Sequence, residues 1–263
     1  MPLHVEVRGS GPPLVLLHGF TQTGRLWGPF GRRLAASRRL LAVDLPGHGG
    51  SDAVRADLPA TAGLVADAAR DALGTGGEPC DLLGYSLGAR VALHVAIGTD
   101  LPLRRTVLIG ATAGIEDPAR RAERRRADAA RADELEASGD VAGFVHAWLR
   151  SPMFSRLVAA GAAGSAERVR NSAAGLASSL RLCGTGTQEP LWDRLPGLPC
   201  AILALAGADD TAYAAHALRI ARSAPSGVAT LVPGGGHAAH LAQPEQVARL
   251  VQHWLGPAPT GGA

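Results

Sequence analysis

Residues 80–90 read Cys-Asp-Leu-Leu-Gly-Tyr-Ser-Leu-Gly-Ala-Arg, and everything else in the chain is best read outward from them. The apolar run at 80–83 has the length of a strand, and 87–96 carries a helical pattern. Between them, Gly84-Tyr85-Ser86-Leu87-Gly88 is a Gly-x-Ser-x-Gly sequence. In a strand–turn–helix setting this is a nucleophile elbow. The glycines permit a turn so tight that the serine is held in strained geometry, with its hydroxyl exposed at the helix start. A motif this short recurs by chance in a chain with 34 glycines, so its weight rests on the neighbouring elements.

Those neighbours repeat the same rhythm. Further strand-like runs fall at 14–17, 40–43, 106–109, 201–206 and 229–232, and 4–7 predicts a short antiparallel edge strand. Helical patterns near 27–36, 61–73, 87–96, 214–224 and 244–254 alternate with them, which is the signature of a parallel sheet covered on both faces. The last helix opens on Pro244 and closes at Gly256, the expected asymmetry of helix ends. The rhythm breaks at 115–191, an Ala- and Arg-rich stretch that predicts several short helices without a strand. Inserted between two strands, it would form a helical cap over the strand ends. The core is then 1–114 with 192–255, and 256–263, built of Gly, Pro, Thr and Ala, is expected to be a frayed tail.

A serine hydroxyl is a poor nucleophile or base until a histidine takes its proton, and the histidine must be oriented by a carboxylate. The run at 201–206 ends in Gly207-Ala208-Asp209-Asp210, which puts an acid just past a strand end. The run at 229–232 leads into Pro233-Gly234-Gly235-Gly236-His237, a flexible loop carrying an imidazole. Either acid, taken singly, reads as an ordinary surface-loop residue. In the chain order serine, acid, histidine, each following a strand, they read as a triad.

This is the layout of the α/β-hydrolase fold, here a mostly parallel sheet of about seven strands with helices on both faces and a helical cap. The fold's Gly-x-x-D pattern selects Asp210 over Asp209, giving a triad of Ser86, Asp210 and His237. In this fold an oxyanion hole forms from the amide after the serine and one in the turn after an earlier strand, here Leu87 and Phe20. His18 and His48 read as loop-shaping residues, and His240 as structural.

Composition narrows the chemistry further. None of the 26 basic residues is lysine, so no side-chain Schiff base and no phosphate-loop lysine can exist. The arginines are interleaved with 23 acids at a net charge of +3, which predicts a mixed-charge surface and no nucleic-acid partner. Cys80, Cys183 and Cys200 are too few and too scattered for a disulfide framework or a zinc site, so no metal is expected. Reduced thiols, no signal-like N-terminus and no apolar run of membrane length predict a cytoplasmic protein with no membrane span.

Seven segments carry a more specific likeness: LVLLHGFTQTGRLW (14–27), VDLPGHGGSD (43–52), GYSLGARVAL (84–93), RAERRRAD (121–128), AWLRSPMFSRL (147–157), RLCGTGTQEPLWDRL (181–195) and GGGHAAHLAQPE (234–245). Across nearly its whole length the chain resembles the 2-succinyl-6-hydroxy-2,4-cyclohexadiene-1-carboxylate synthase family of menaquinone biosynthesis. The resemblance implies a lyase that needs no cofactor. It abstracts a proton alpha to a succinyl carbonyl and eliminates pyruvate from a small tricarboxylate, 2-succinyl-5-enolpyruvyl-6-hydroxy-3-cyclohexene-1-carboxylate. It also implies that Arg90, Arg124 and Arg170 bind the carboxylates, with Tyr85 and Trp148 in the pocket wall. Arg90 lies one helical turn beyond Ser86 on the same face, which suits that role. The chain departs from the family at Ala89, where glycine is usual, and at Ala212-Tyr213, where a Lys-Phe pair is common.

Two other readings stay open on the residues alone. A carboxylesterase or carbon–carbon-bond hydrolase would use Ser86 as a covalent nucleophile, and a ligand receptor would use the fold without catalysis. For Arg120, Arg121, Arg125, Arg126 and Arg131 the expectation is a solvated helix face with local ion pairs.

Overall fold

The computed structural model describes residues 1–74 and 77–256, so 257–263 of the expected tail lie outside the described residues. Its strands are β1 (Val5–Arg8), β2 (Pro13–Leu17), β3 (Arg39–Val43), β4 (Cys80–Tyr85), β5 (Leu103–Ile109), β6 (Ala201–Gly207) and β7 (Gly227–Val232). They form one sheet in the order β1-β3-β2-β4-β5-β6-β7. Only β1 runs antiparallel, pairing Val5 with Val43; every other neighbouring pair is parallel. This is the α/β-hydrolase sheet, and β4, which carries the elbow, lies at its centre.

Every residue of β2 and β4 is buried, as expected for strands covered on both faces. Successive side chains serve two cores. Val15, Leu17 and Leu82 pack with Val65 of α2 (Leu58–Leu73), Val91 of α3 (Leu87–Gly98) and Ile220 of α9 (Thr211–Ser223). Leu14, Leu16 and Leu83 face the other side, against Phe30 and Leu34 of α1 (Gly28–Ala35) and Val247 and Val251 of α11 (Pro244–Leu255). Burying each such side chain stabilises the fold by about 1.5–3 kcal/mol. Asp81, at the start of β4, is buried between Arg38 (2.9 Å) and Arg104 (3.1 Å). Arg38 also donates to the Leu255 and Gly256 carbonyls, closing the C-terminus of α11.

Between β5 and β6 the chain makes no strand. It forms α4 (Pro118–Ser138), α5 (Val141–Leu149), α6 (Ser155–Ala159), α7 (Ser165–Arg168) and α8 (Ala173–Cys183). The expectation of only short helices fails for α4, whose 21 residues make it longer than any other described helix. Its arginines, glutamates and alanines are strong helix formers, and nothing interrupts them between the Asp117 cap and Gly139, where φ is 64°. Ala132 of α4 packs against Ala177 and Leu180 of α8. The remaining short helix, α10 (Ala239–Ala242), follows the histidine loop. No described helix is long and apolar enough to cross a membrane, and no described cluster of His, Cys, Asp or Glu could hold a metal ion.

Candidate active site

Ser86 sits between β4 and α3 with φ 52° and ψ −107°, a conformation that L residues rarely adopt. The close approach explains the flanking glycines. A Cβ on Gly88 would lie 2.0 Å from the Leu17 carbonyl oxygen, and one on Gly84 would lie 2.2 Å from the Gly88 oxygen. The Ser86 amide is held by the Ile109 carbonyl (2.8 Å), so the strained turn is anchored to the neighbouring strand.

The three predicted side chains meet although 151 residues separate the first from the last. The Ser86 hydroxyl donates to His237 Nε2 at 2.9 Å, and His237 Nδ1–H donates to Asp210 Oδ2 at 2.7 Å. His237 is 2% exposed, so its two nitrogens are committed to these partners. Asp209 turns away and pairs with Arg156 instead.

The turn after β2 faces the elbow. Gly88 N–H donates to the His18 carbonyl (3.0 Å), tying the two turns together. Neither the Phe20 nor the Leu87 amide donates to a protein acceptor among the described residues, which leaves both free for an oxyanion. Thr21, beside Phe20, is the only described non-glycine residue besides Ser86 with a positive φ (68°). Three side chains hold it there. His48 Nε2 accepts from the Thr21 amide (3.3 Å), Arg168 Nη1 donates to Thr21 Oγ1 (2.5 Å), and Asn171 donates to the Thr21 carbonyl (2.8 Å). His18 Nε2 accepts from the Leu45 amide (3.0 Å) while its Nδ1–H donates to the Gly19 carbonyl (2.9 Å). Both histidines thus shape the loop, in the neutral form.

Burial pushes His18 down to about 4 and His48 and His240 down to about 3. The folded protein therefore keeps them neutral, whereas in the unfolded chain they take up protons below about 6.5. Stability present above that pH is lost as pH falls toward 4. Each histidine contributes about 1.4 kcal/mol per pH unit in this window, so the three together remove roughly 4 kcal/mol between pH 7.5 and 5.5. Urea unfolding at the two pH values measures this directly, and equal stabilities would contradict it.

Over the serine lies a cavity lined by Phe20, Ser86, Leu87, Arg90, Arg124, Asp128, Trp148, Met153, Phe154, Ser179, Leu180, Cys183, Gly184, Thr185, Tyr213 and His237. Two of the three predicted arginines reach it. Arg90 is 8% exposed and donates to the Cys183 (2.8 Å) and Gly184 (3.4 Å) carbonyls at the end of α8. Arg124 enters from α4, its Nε held by both oxygens of buried Asp128 at 2.9 and 3.0 Å. Trp148 lines the wall as expected, its ring 5.2 Å from that of Phe20.

Two expectations need correction. Arg170 does not line this cavity; its side chain is 64% exposed and lies 3.8 Å from Glu167, on another face. The arginine that this stretch buries is Arg168, whose Nε donates to the Ala163 carbonyl (2.7 Å). Arg168 has no acidic partner among the described residues and remains a cation, since burial lowers it only to about 10. It places positive charge beneath the Phe20–Thr21 turn. Tyr85 is likewise absent from the cavity wall. It packs behind the elbow, its ring 4.5 Å from His240 and close against Gly19. Asp128, Tyr213, Met153, Phe154 and Thr185 are wall residues that sequence reasoning did not select. Asp128, Met153, Phe154 and Thr185 lie within family-like segments and Tyr213 is a departure near the acid, but nothing in the sequence marked any of them as facing the site.

A strained serine, a histidine held between it and a carboxylate, and two amides without protein acceptors stand together at the centre of a hydrolase-type sheet. The chain belongs to the α/β-hydrolase family, whose model matches residues 14–250. Within it, the chain is 32% identical over 249 residues to the 2-succinyl-6-hydroxy-2,4-cyclohexadiene-1-carboxylate synthase of Salmonella paratyphi C, covering 93% of this chain and 94% of that one. The solved structure of MenH from S. aureus superposes with a TM-score of 0.88 at 28% identity, covering 96% and 97% of the two chains. A thermophilic esterase from Thermogutta terrifontis, with malate bound, superposes at 0.81 and 25% identity, covering 96% and 92%. At the finer level the chain belongs to the 2-succinyl-6-hydroxy-2,4-cyclohexadiene-1-carboxylate synthase family, and so among lyases built on the α/β-hydrolase fold.

Proposed function

We propose that this protein eliminates pyruvate from 2-succinyl-5-enolpyruvyl-6-hydroxy-3-cyclohexene-1-carboxylate in menaquinone biosynthesis. His237, held by Asp210, takes the Ser86 proton as Ser86 Oγ removes the carbon-bound proton alpha to the succinyl carbonyl. Negative charge develops on that carbonyl oxygen, where the Phe20 and Leu87 amides can receive it. Collapse of the enolate expels the enolpyruvyl group, which becomes pyruvate on protonation. These residues complete the chemistry without a cofactor. Residues 115–191 act as a cap that closes the site from water. Three free, buried cysteines fit a reducing cytoplasmic setting.

The observation that carries this reading is that Arg90 and Arg124 line the same cavity as Ser86. Two guanidiniums gathered beside one nucleophile suit a substrate with several carboxylates and are wasted on a neutral ester. Incubation with the enolpyruvyl precursor should release one pyruvate per turnover. Absence of pyruvate, together with a burst of p-nitrophenol from simple esters, would favour the esterase reading that the Thermogutta neighbour supports.

Arg90→Ala and Arg124→Ala should each remove a charge-assisted contact, roughly 1.5–3 kcal/mol, or about ten- to a hundredfold in kcat/KM. Lysine should not fully restore either, because it cannot present the planar fork. Arg170→Ala should leave kcat/KM within about twofold, as expected of an exposed surface pair. A loss at Arg170 matching that at Arg90 would contradict this placement of the anion-binding groups.

A further inference from the structure

The segment 152–156, between α5 and α7, touches the catalytic apparatus in three ways. Met153 and Phe154 line the cavity over Ser86. The Met153 carbonyl accepts from the backbone amide of His237 (3.3 Å), and the Phe154 ring lies 5.9 Å from the His237 ring. Arg156, two residues on, places Nε and Nη2 at 2.6 and 2.5 Å from Oδ2 of Asp209, the residue before the triad acid.

The acid and histidine loops are already joined to each other. Ala208 N–H donates to the Val232 carbonyl (2.9 Å) and Asp209 N–H to the Gly235 carbonyl (3.1 Å). Arg156 lies across this joint. A Cβ on Gly236 would come within 3.2 Å of Arg156 Cβ and 3.4 Å of the Met153 oxygen, so the His237 loop runs directly against the stem of Arg156.

We propose that Arg156 is a positioning residue: its pair with Asp209 clamps the 152–156 segment onto the joined loops, so that His237 is aligned with Ser86 while the cavity wall is seated. An ion pair with side chains 56% and 35% exposed adds little to global stability. Its leverage is local. Displacing a reacting group by an ångström can lower a rate about a hundredfold, and a looser segment releases both the His237 amide contact and the Phe154 wall. The inference rests on the triad reading above and not on the identity of the substrate.

The test uses sulfonylation of Ser86 by phenylmethylsulfonyl fluoride, which needs the triad but not the anion-binding arginines. Arg156→Gln and Asp209→Asn, both at the surface, should each slow inactivation about five- to tenfold with unchanged thermal midpoints. The double variant should be no slower than either single one, because the pair acts as a unit. Arg156→Lys, keeping the charge but losing the second contact, should recover only part of the rate. Wild-type rates in the single variants, or losses that multiply in the double one, would overturn the clamp. So would full rescue by lysine with a shifted pH–rate profile in Arg156→Gln, since the role would then be charge neutralisation alone. An unreactive wild-type protein would instead remove the triad reading itself.

Discussion

Ser86→Ala is expected to lower kcat/KM for pyruvate release by about three orders of magnitude or more while leaving the protein folded. The Oγ is the atom placed 2.9 Å from His237 Nε2, at the tip of a turn whose backbone is held by the Ile109 carbonyl, and alanine disturbs none of those backbone contacts. Residual activity would come from the Phe20 and Leu87 amides and from the arginines, which still bind the substrate and stabilise the enolate. The measurement is steady-state pyruvate release, with circular dichroism and thermal melting to establish the fold. A well-folded variant with near-wild-type turnover would remove Ser86 from the chemistry. His237 would then be left as the base acting directly on carbon.

Asp210→Asn is the second large effect. Asp210 Oδ2 accepts from His237 Nδ1–H at 2.7 Å, which keeps Nε2 unprotonated and facing the serine. An amide at this position can donate to Nδ1, which puts the proton on Nε2 and turns an acceptor into a donor toward Ser86. It also withdraws the charge that stabilises the imidazolium formed when Ser86 is deprotonated. Loss of three to four orders of magnitude in kcat is expected, with KM changed little, because the residue never contacts the substrate. Asp209→Asn should fall far short of this, since Asp209 acts through Arg156. A loss under tenfold at Asp210, or a larger one at Asp209, would mean that the acid has been misassigned.

Much of this was readable in one dimension because the relevant physics is local. A nucleophile elbow is a strand, a five-residue turn and a helix in succession, and the acid and histidine each follow a strand end by a few residues. Strand runs, glycines and chain order are properties of neighbouring residues, so Ser86, Asp210, His237 and the sheet could be recognised from the order of the letters. One departure from expectation was also local in origin. Helix α4 is long because Asp117 caps its start and Gly139 ends it with 21 residues of helix formers between.

What depended on the third dimension was which side chains share a cavity. Arg168 and Arg170 are two residues apart at the end of a four-residue helix, too short for any periodicity to show which faces inward. Burial under Thr21 decided it in favour of Arg168. Tyr85 precedes the nucleophile, but β4 is buried on both faces, so its sequence carries no contrast between the side toward the cavity and the side toward His240. Arg156, Asp209 and His237 belong to three separate stretches, and only the docking of the inserted helices brings them together. Residue types and their order were enough to point to the candidate triad and to the sheet that presents it. The walls of the site, and the contacts that hold its loops in register, were decided by packing between segments far apart in the chain.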